Sequence, residues 1–598
     1  MKKLLLSATL FFTLATFAQA PTFNWAKSIT GSGVKEIYDV TTDNAGNVYT
    51  TGTFGGTANI GPNDGTLAQV VYDPNPNANT ARNVFITKMT ASGTLVWTKT
   101  FGGTYDDIGK AIKVDNDGNV FVAGEFKGQV DFNPDVPQYY LNSGAVTSGN
   151  GSNSFVVKFG PTGNFLFAKA FTGTYNQEMN DLDIDALGNL YTTGSYKGLN
   201  SFAVDFDPGN GAFFIPAQND DVFIVKLEND GDFVWAKSFS GGSVSFENIE
   251  DRDKGNAIEV DNNGNIFVAG LFKETVDFDT SSAVSSLVSA GLTDAFIAKL
   301  DTNGNLIWVK KIGGTSRDIG KSMGLDVLGN VYLMGYYSET FDGTIIDFNP
   351  NAGVVNLVIQ NNIQNAVVKF NSAGEFVWAK RFRGNSTSNL DCAKSFSVDQ
   401  SGNVFVLERF SGTVNTPVTY DFNEGSGVFN LTSSTNGIYV SKINSNGDFV
   451  TAFITGTNFN NISPNAFCAS STGELYSAGR YDGTNDFDPT DGIFNLAATT
   501  YSCFLQKMSH QTLAIQENSR LTLNFYPNPA TSVLNFKLNN SIENATLKII
   551  SITGQTVLQL QNLAGDNFNI DVSELSAGLY IIQLANEGGN FTAKFVKK

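Results

Sequence analysis

Through most of the chain apolar and polar residues alternate in short runs, as in Ala111-Ile112-Lys113-Val114 and Val120-Phe121-Val122. A period of two over four to eight residues predicts β-strands. The runs flank a recurring string, D-x-x-G-N-[VIL]-[YF]-x-x-G, at Asp43–Gly52, Asp115–Gly124, Asp185–Gly194, Asp261–Gly270 and Asp326–Gly335. A sixth copy at Asp399 has Glu408 in place of the last Gly, and a seventh has Ser470 for the Asp and Glu474 for the Asn. The first Gly of each copy is residue 46, 118, 188, 264, 329, 402 and 473, giving steps of 72, 70, 76, 65, 73 and 71. Asp at the loop start accepts backbone N–H groups two residues on, and Gly supplies a left-handed turn. Each copy therefore predicts a hairpin.

A second string follows in each period: F-[IV]-x-K, a polar turn with Gly, an apolar pair, then Trp-x-Lys, as in Phe223–Lys237 and Phe296–Lys310. All five Trp (Trp25, Trp97, Trp235, Trp308, Trp378) share this place, with Phe167 and Thr451 in the other two copies. Trp and Lys two apart lie on one strand face, where the Lys stem can cover the ring. Two hairpins per period give four strands, and four-stranded units repeated around an axis are propeller blades. The last copy has Cys503–Lys507 but no following Trp strand, while the chain begins with an orphan, Phe23-Asn24-Trp25-Ala26-Lys27. The expectation is an all-β, seven-bladed β-propeller over 21–509, its last blade completed by the N-terminal strand.

These repeats resemble the SBBP-type β-propeller family through the D-x-x-G-N-V-Y-V-x-G core, which implies a fold and no activity. After Met508 the pattern changes: 510–519 reads as a polar linker and 520–598 as a small C-terminal β-sandwich. Asn524-Phe525-Tyr526-Pro527-Asn528-Pro529-Ala530 precedes Leu547–Gln555 with Gly554, then Leu575–Tyr580 with Gly578, then a basic end with Lys594, Lys597 and Lys598. This resembles the type A C-terminal sorting domain of the type IX secretion system. The resemblance implies handling by that machinery, removal of the tail, and release or attachment at the outer cell surface.

Residues 1–20 read as a signal peptide: Lys2 and Lys3, an apolar run Leu4–Phe17, then Ala18-Gln19-Ala20. Pro21 hinders cleavage after Ala20, so the expected cut follows Ala18. No later stretch has the ~18 uncharged apolar residues of a spanning helix.

Composition narrows the chemistry. The net charge of −19 disfavours nucleic acid, which needs a basic face. From Ser519 onward six Lys/Arg oppose five acids, so the acidity lies in the repeats. One His, His510, leaves no Ser/His/Asp triad and no multi-His metal site. Cys392, Cys468 and Cys503 are too few for a disulfide-built fold and are read either as one disulfide and a free thiol or as three core residues.

Three sets of residues are candidates for chemistry. D-F-[DN]-P recurs, with Asp205 and Asp207, Asp277 and Asp279, and Asp486 and Asp488 as paired oxygens for Ca²⁺, against a reading as turn caps around a buried Phe. Departures from the repeat mark the second set: Glu408 and Arg409 replace the Gly-x pair, and Arg480, Glu125 and Tyr336 stand at the Arg409 position elsewhere. Their rim is a candidate surface for anions or sugars. The third is a pair of carboxylates, which suffices for glycoside hydrolysis. The leading expectation is an exported binding or adhesion scaffold for polysaccharide or a surface protein. A secreted polysaccharide-degrading enzyme is the alternative.

Overall fold

The computed structural model describes residues 21–509 and 523–598, apart from 61–68, 73–80, 144–150, 198–202, 217–219, 242–251, 339–345, 352, 358–362, 383–394, 411–416, 424–426, 459–461, 552–554 and 587–588. The expected leader, the linker, Cys392 and Gly554 lie outside the described residues. Contacts divide the chain into two compact units, 1–510 and 511–598. The described residues form antiparallel sheets, and no helix among them is long and apolar enough to cross a membrane.

In the first unit, four-strand groups follow one another. The second is typical: Ile108–Val114, Val120–Phe126, Asn153–Phe159 and Phe165–Phe171 pair in sequence order as a meander. The D-x-x-G-N loop joins its first two strands, and Gly118 has φ 80°. Asp115 Oδ1 accepts N–H bonds from Asp117 and Asn119 at 3.0 and 2.8 Å, closing the turn. The last Gly of the string is required by a close approach. A Cβ on Gly124 would sit 1.9 Å from the Ile108 carbonyl oxygen.

The last group draws on both ends of the unit. Ile462–Ala469 pairs with Glu474–Asp486, which pairs with Asn495–Ser509, and the outermost strand is Thr22–Ile29. The orphan Trp25 strand thus stands opposite Lys507. First strands of successive groups lie side by side, from Lys35–Thr42 beside Ile108–Val114 onward, and Ile462–Ala469 lies beside Lys35–Thr42.

Apolar residues collect between groups rather than within them, as face-to-face sheet packing requires. Phe121, Val156, Leu182 and Phe223 share one buried cluster across the second and third groups. Another joins Trp25, Tyr476 and Leu505 of the last group to Ile37, Val48 and Phe85 of the first.

The long segment between second and third strands holds a further hairpin, which strand periodicity did not reveal. Gln129–Asp131 pairs with Tyr140–Asn142, and equivalents recur at Ala203–Asp205 and Thr275–Asp277. Two of them pair at the end of the preceding group's fourth strand, Ser240 with Asp277 and Thr172 with Asp205. An exposed edge is covered in this way. The Phe of D-F-[DN]-P is the plug: Phe132 is fully buried 4.9 Å from Phe101 and 5.0 Å from Phe155.

In the second unit, where a small β-sandwich was expected, the described strands pair into one five-stranded antiparallel sheet. Val533–Ser551 pairs with Thr556–Asp571, Leu523–Tyr526 and Gly578–Asn586. Register shifts along Val533–Ser551 let one long strand serve several partners, since bulges bend and twist a strand. Leu534, Phe536, Leu547, Ile582 and Phe595 form its core.

Candidate functional site

The Trp-x-Lys strand reaches across to the next group. Trp97 donates its Nε1–H to the Pro161 carbonyl at 3.1 Å, and Lys88 Nζ donates to the same oxygen at 3.1 Å. Gly163, two residues on, has φ 81° and takes the ring at its Cα, since a Cβ there would lie 3.1 Å from the indole. Trp25 repeats this against Ala91 and Gly93, and Trp378 against Ser445 and Gly447. We call each unit a clasp. Phe167 meets Gly231 in the same way. Thr451 stands where the next group has no such turn, because Asn495–Ser509 and Thr22–Ile29 are joined by no direct connection.

First strands from every repeat line a cavity of about 260 Å³, through Asp39, Lys113, Asp181, Glu259, Met323, Phe396 and Cys468 among others. Lys113 Nζ lies 3.2 Å from Asp183 Oδ1 and 3.4 Å from Glu259 Oε1. Burial opposes the ammonium charge, but Asp183, Glu259, Asp181 and Asp39 outweigh it and hold Lys113 well above its usual value. Burial pushes Glu259 up, against the pull of Lys113. The acids also tie strands together: Asp39 accepts from Ile112 N at 2.9 Å, Asp181 from Ile258 N at 3.0 Å and Asp183 from Val260 N at 2.7 Å.

The rim candidates are held by separate partners. Glu408 is only 1% exposed; its oxygens accept from Asn365 Nδ2 at 2.5 Å and Tyr439 Oη at 2.6 Å. Burial pushes its carboxyl up to about 7 despite those bonds. Arg409 beside it is half-buried, with its Nε shielded from solvent. Arg480 lies 3.9 Å from Glu36 and over the Tyr501 ring at 5.6 Å. Glu125 pairs with Lys110, and Tyr336 is buried beneath Lys321. Sequence reasoning placed Glu408 at an open strand end, whereas Tyr439 and Asn365 enclose it.

The D-F-[DN]-P carboxylates cap turns. Asp205 Oδ1 accepts from Asp207 N and Phe213 N at 3.1 and 2.8 Å. Asp277 does so from Asp279 N and Ser285 N at 3.0 and 2.8 Å, and Asp486 from Asp488 N and Phe494 N at 3.1 and 2.8 Å. The second acids extend the chain of caps: Asp207 accepts from Gly209 N, Asp279 from Ser281 N and Asp488 from Thr490 N. Among the described residues no group of three or more His, Cys, Asp or Glu is placed to hold a metal ion. Cys468 and Cys503 are free thiols, and burial pushes them up to about 11 and about 12.

In the tail the Pro527-Asn528-Pro529 turn is exposed and is clamped to the last strand, Gly589–Lys597. Asn528 Oδ1 accepts from Val596 N at 2.9 Å, and Ala530 N donates to Val596 O at 2.8 Å. Gly578 pairs with Lys597, which is buried, while Lys594 and Lys598 point to solvent. The Pro527-Asn528-Pro529 turn, Gly578 and the basic end therefore meet at the last strand.

Two curated relatives cover parts of the chain. It is 22% identical over 444 residues to an uncharacterized WD repeat-containing protein of Acanthamoeba polyphaga mimivirus, over 65% of this chain and 31% of that protein. It is 23% identical over 279 residues to Regulatory protein FlaEY of Caulobacter vibrioides, over 42% of this chain and 27% of that protein. The chain spans less than a third of the length of either relative. Residues 524–598 match the family described as Secretion system C-terminal sorting domain, the address of the type IX route that sends a protein toward the cell surface and the extracellular space.

Proposed function

We propose that residues 21–509 are a closed seven-bladed propeller of the SBBP type, carried by a type A sorting tail and displayed or released outside the cell as a binding or adhesion scaffold for polysaccharide. The sorting domain at 524–598 is the observation that carries the export half of this reading. Closure is supported by the pairing of Thr22–Ile29 with Asn495–Ser509 and by the core shared between last and first groups. The WD repeats in one relative's name point the same way, since that repeat builds propeller blades.

A rigid ring with hairpins on its outer edge offers a broad surface from which loops can vary without unfolding the body. Arg409 and Arg480 belong to that surface in this reading. A carboxylate hydrolase ranks second. Asp39, Asp181 and Glu259 supply acids in one cavity, but Lys113 is ion-paired to Glu259 and to the neighbouring Asp183.

The test is a glycan array probed with the exported chain, with Ca²⁺ and again with chelator. Selective binding to one glycan class is expected. Absence of glycan binding under both conditions, together with loss of surface retention only through the tail, would remove the polysaccharide reading. Binding lost in chelator would assign Ca²⁺ to the Asp-rich turns.

A further inference from the structure

One clasp departs from its siblings in both halves. Phe167 stands where five other copies have Trp, and the turn it meets reads Glu228-Asn229-Asp230-Gly231-Asp232. At the place of Asp230 the other turns have Ser92, Thr162, Asn303, Ala373 and Asn446. The carbonyl that accepts an indole N–H from Trp25, Trp97 and Trp378 in their clasps is here Asn229 O, which receives Lys158 Nζ at 3.0 Å. With the smaller ring, a cleft of about 550 Å³ lies alongside, within the range of small-ligand sites. The Phe167 ring is its apolar floor, and Leu166, 45% exposed, lines its edge. Glu228 and Asp230, both exposed, form one wall; Lys158, Asn189 and Asn229 complete the lining, with Asn189 Nδ2 donating to Asp185, Asn229 Nδ2 to Leu187 O and Lys158 Nζ to Asn229.

The fold does not require these departures, because neighbouring clasps do without them, and local breaks in a consistent pattern collect at functional sites. We propose that this cleft is a subsite for an uncharged pyranose unit of a polysaccharide. The C–H face of the sugar packs on the Phe167 ring. Its hydroxyls donate to the Glu228 and Asp230 carboxylates. The same carboxylates repel uronic acid and sulfated sugars. No metal ion takes part. The proposal rests on the polysaccharide reading above and names its site and sugar class.

The experiment is titration of the exported chain with soluble neutral β-glucan, xylan and mannan, and with polygalacturonate, each with Ca²⁺ and again in chelator. Wild type is expected to bind at least one neutral polymer and to ignore polygalacturonate. Phe167→Trp restores the residue of the other clasps and fills the cleft. It is expected to keep or raise Tm and to weaken binding about tenfold or more. Asp230→Asn, which leaves the floor intact, is expected to weaken it in the same direction.

If wild type binds a neutral polymer and both variants match it within about twofold, the cleft is not the site, although the scaffold still binds polysaccharide. If wild type binds none of the neutral polymers, the polysaccharide reading and the cleft fail together. Preference for polygalacturonate, or binding lost in chelator, would overturn the recognition by free carboxylates.

Discussion

The Trp97–Gly163 and Phe167–Gly231 clasps join neighbouring sheets by the same geometry and differ in what they leave exposed. In the first, the indole spends its N–H on Pro161 O and covers the turn. In the second, a smaller ring still rests on the turn Gly, Lys158 alone reaches the Asn229 carbonyl, and a cleft remains. The lesson is that the contact at the Gly holds the sheets together, while the indole beyond it is a lid. A repeat can discard the lid and keep the joint. The Thr451 position extends the comparison, since the Trp is missing where the next group has no turn to receive it.

If clasps hold the body together, the one that joins the last group to the first matters most. Trp25 is buried, bonds Ala91 O at 3.1 Å and packs against Tyr476. Trp25→Ala is expected to cost about 3–5 kcal/mol, the usual range for a buried Trp, read by denaturant unfolding. A cost below about 1 kcal/mol would show that the ends contribute little. The receiving Gly is the next test. Gly163→Ala puts a Cβ 3.1 Å from the Trp97 ring at φ 81°, and roughly 1–3 kcal/mol should be lost. Loss well beyond what Trp97→Phe produces would locate the joint at the Gly rather than in the indole.

A smaller effect comes from acids buried at sheet junctions. Burial pushes Asp107, Asp318 and Glu408 up to about 7 in the folded chain, against hydrogen bonds that favour their charge. The folded state then holds protons that the unfolded chain releases near pH 4. Their contribution is full below that pH and is lost as pH rises through about 7. Tm should therefore fall by several degrees between pH 5 and pH 8, and a rise over that window would refute the buried, protonated state. Asp43 and Asp301 run the other way. Burial raises them, but their turn hydrogen bonds win and lower them, so they weaken the fold only in strong acid. The smallest effect is expected at the D-F-[DN]-P turns. Asp486→Asn keeps an acceptor for Asp488 N and Phe494 N, so stability should change by no more than about 0.5 kcal/mol. Adding chelator should leave Tm where it was, and a drop would place a cation in these turns.

Much of the body was legible because its signals are local. The turn Gly residues take positive φ where the D-x-x-G-N string puts them, and the orphan Trp25 strand pairs with Asn495–Ser509. Both halves of the clasp were also visible, but their meeting was not, because Trp97 and Pro161 lie 64 residues apart. The extra hairpins escaped because three-residue strands such as Gln129–Asp131 are too short to show a period. Glu408 misled for a related reason. Burial at a strand end depends on what other strands bring over it, here Asn365 and Tyr439. In the cleft, Phe167 was visible as an exception among Trp residues, but its meaning needed the acidic turn opposite.

Amide hydrogen exchange along Thr22–Ile29 tests the proposed closed ring most directly, because fraying chain ends exchange freely whereas core strands exchange only on deep unfolding. The account predicts that these amides exchange as slowly as those of Cys503–Ser509, the strand they pair with. Fast exchange of Thr22–Ile29 beside slow exchange of Cys503–Ser509 would mean an open edge, and would contradict it.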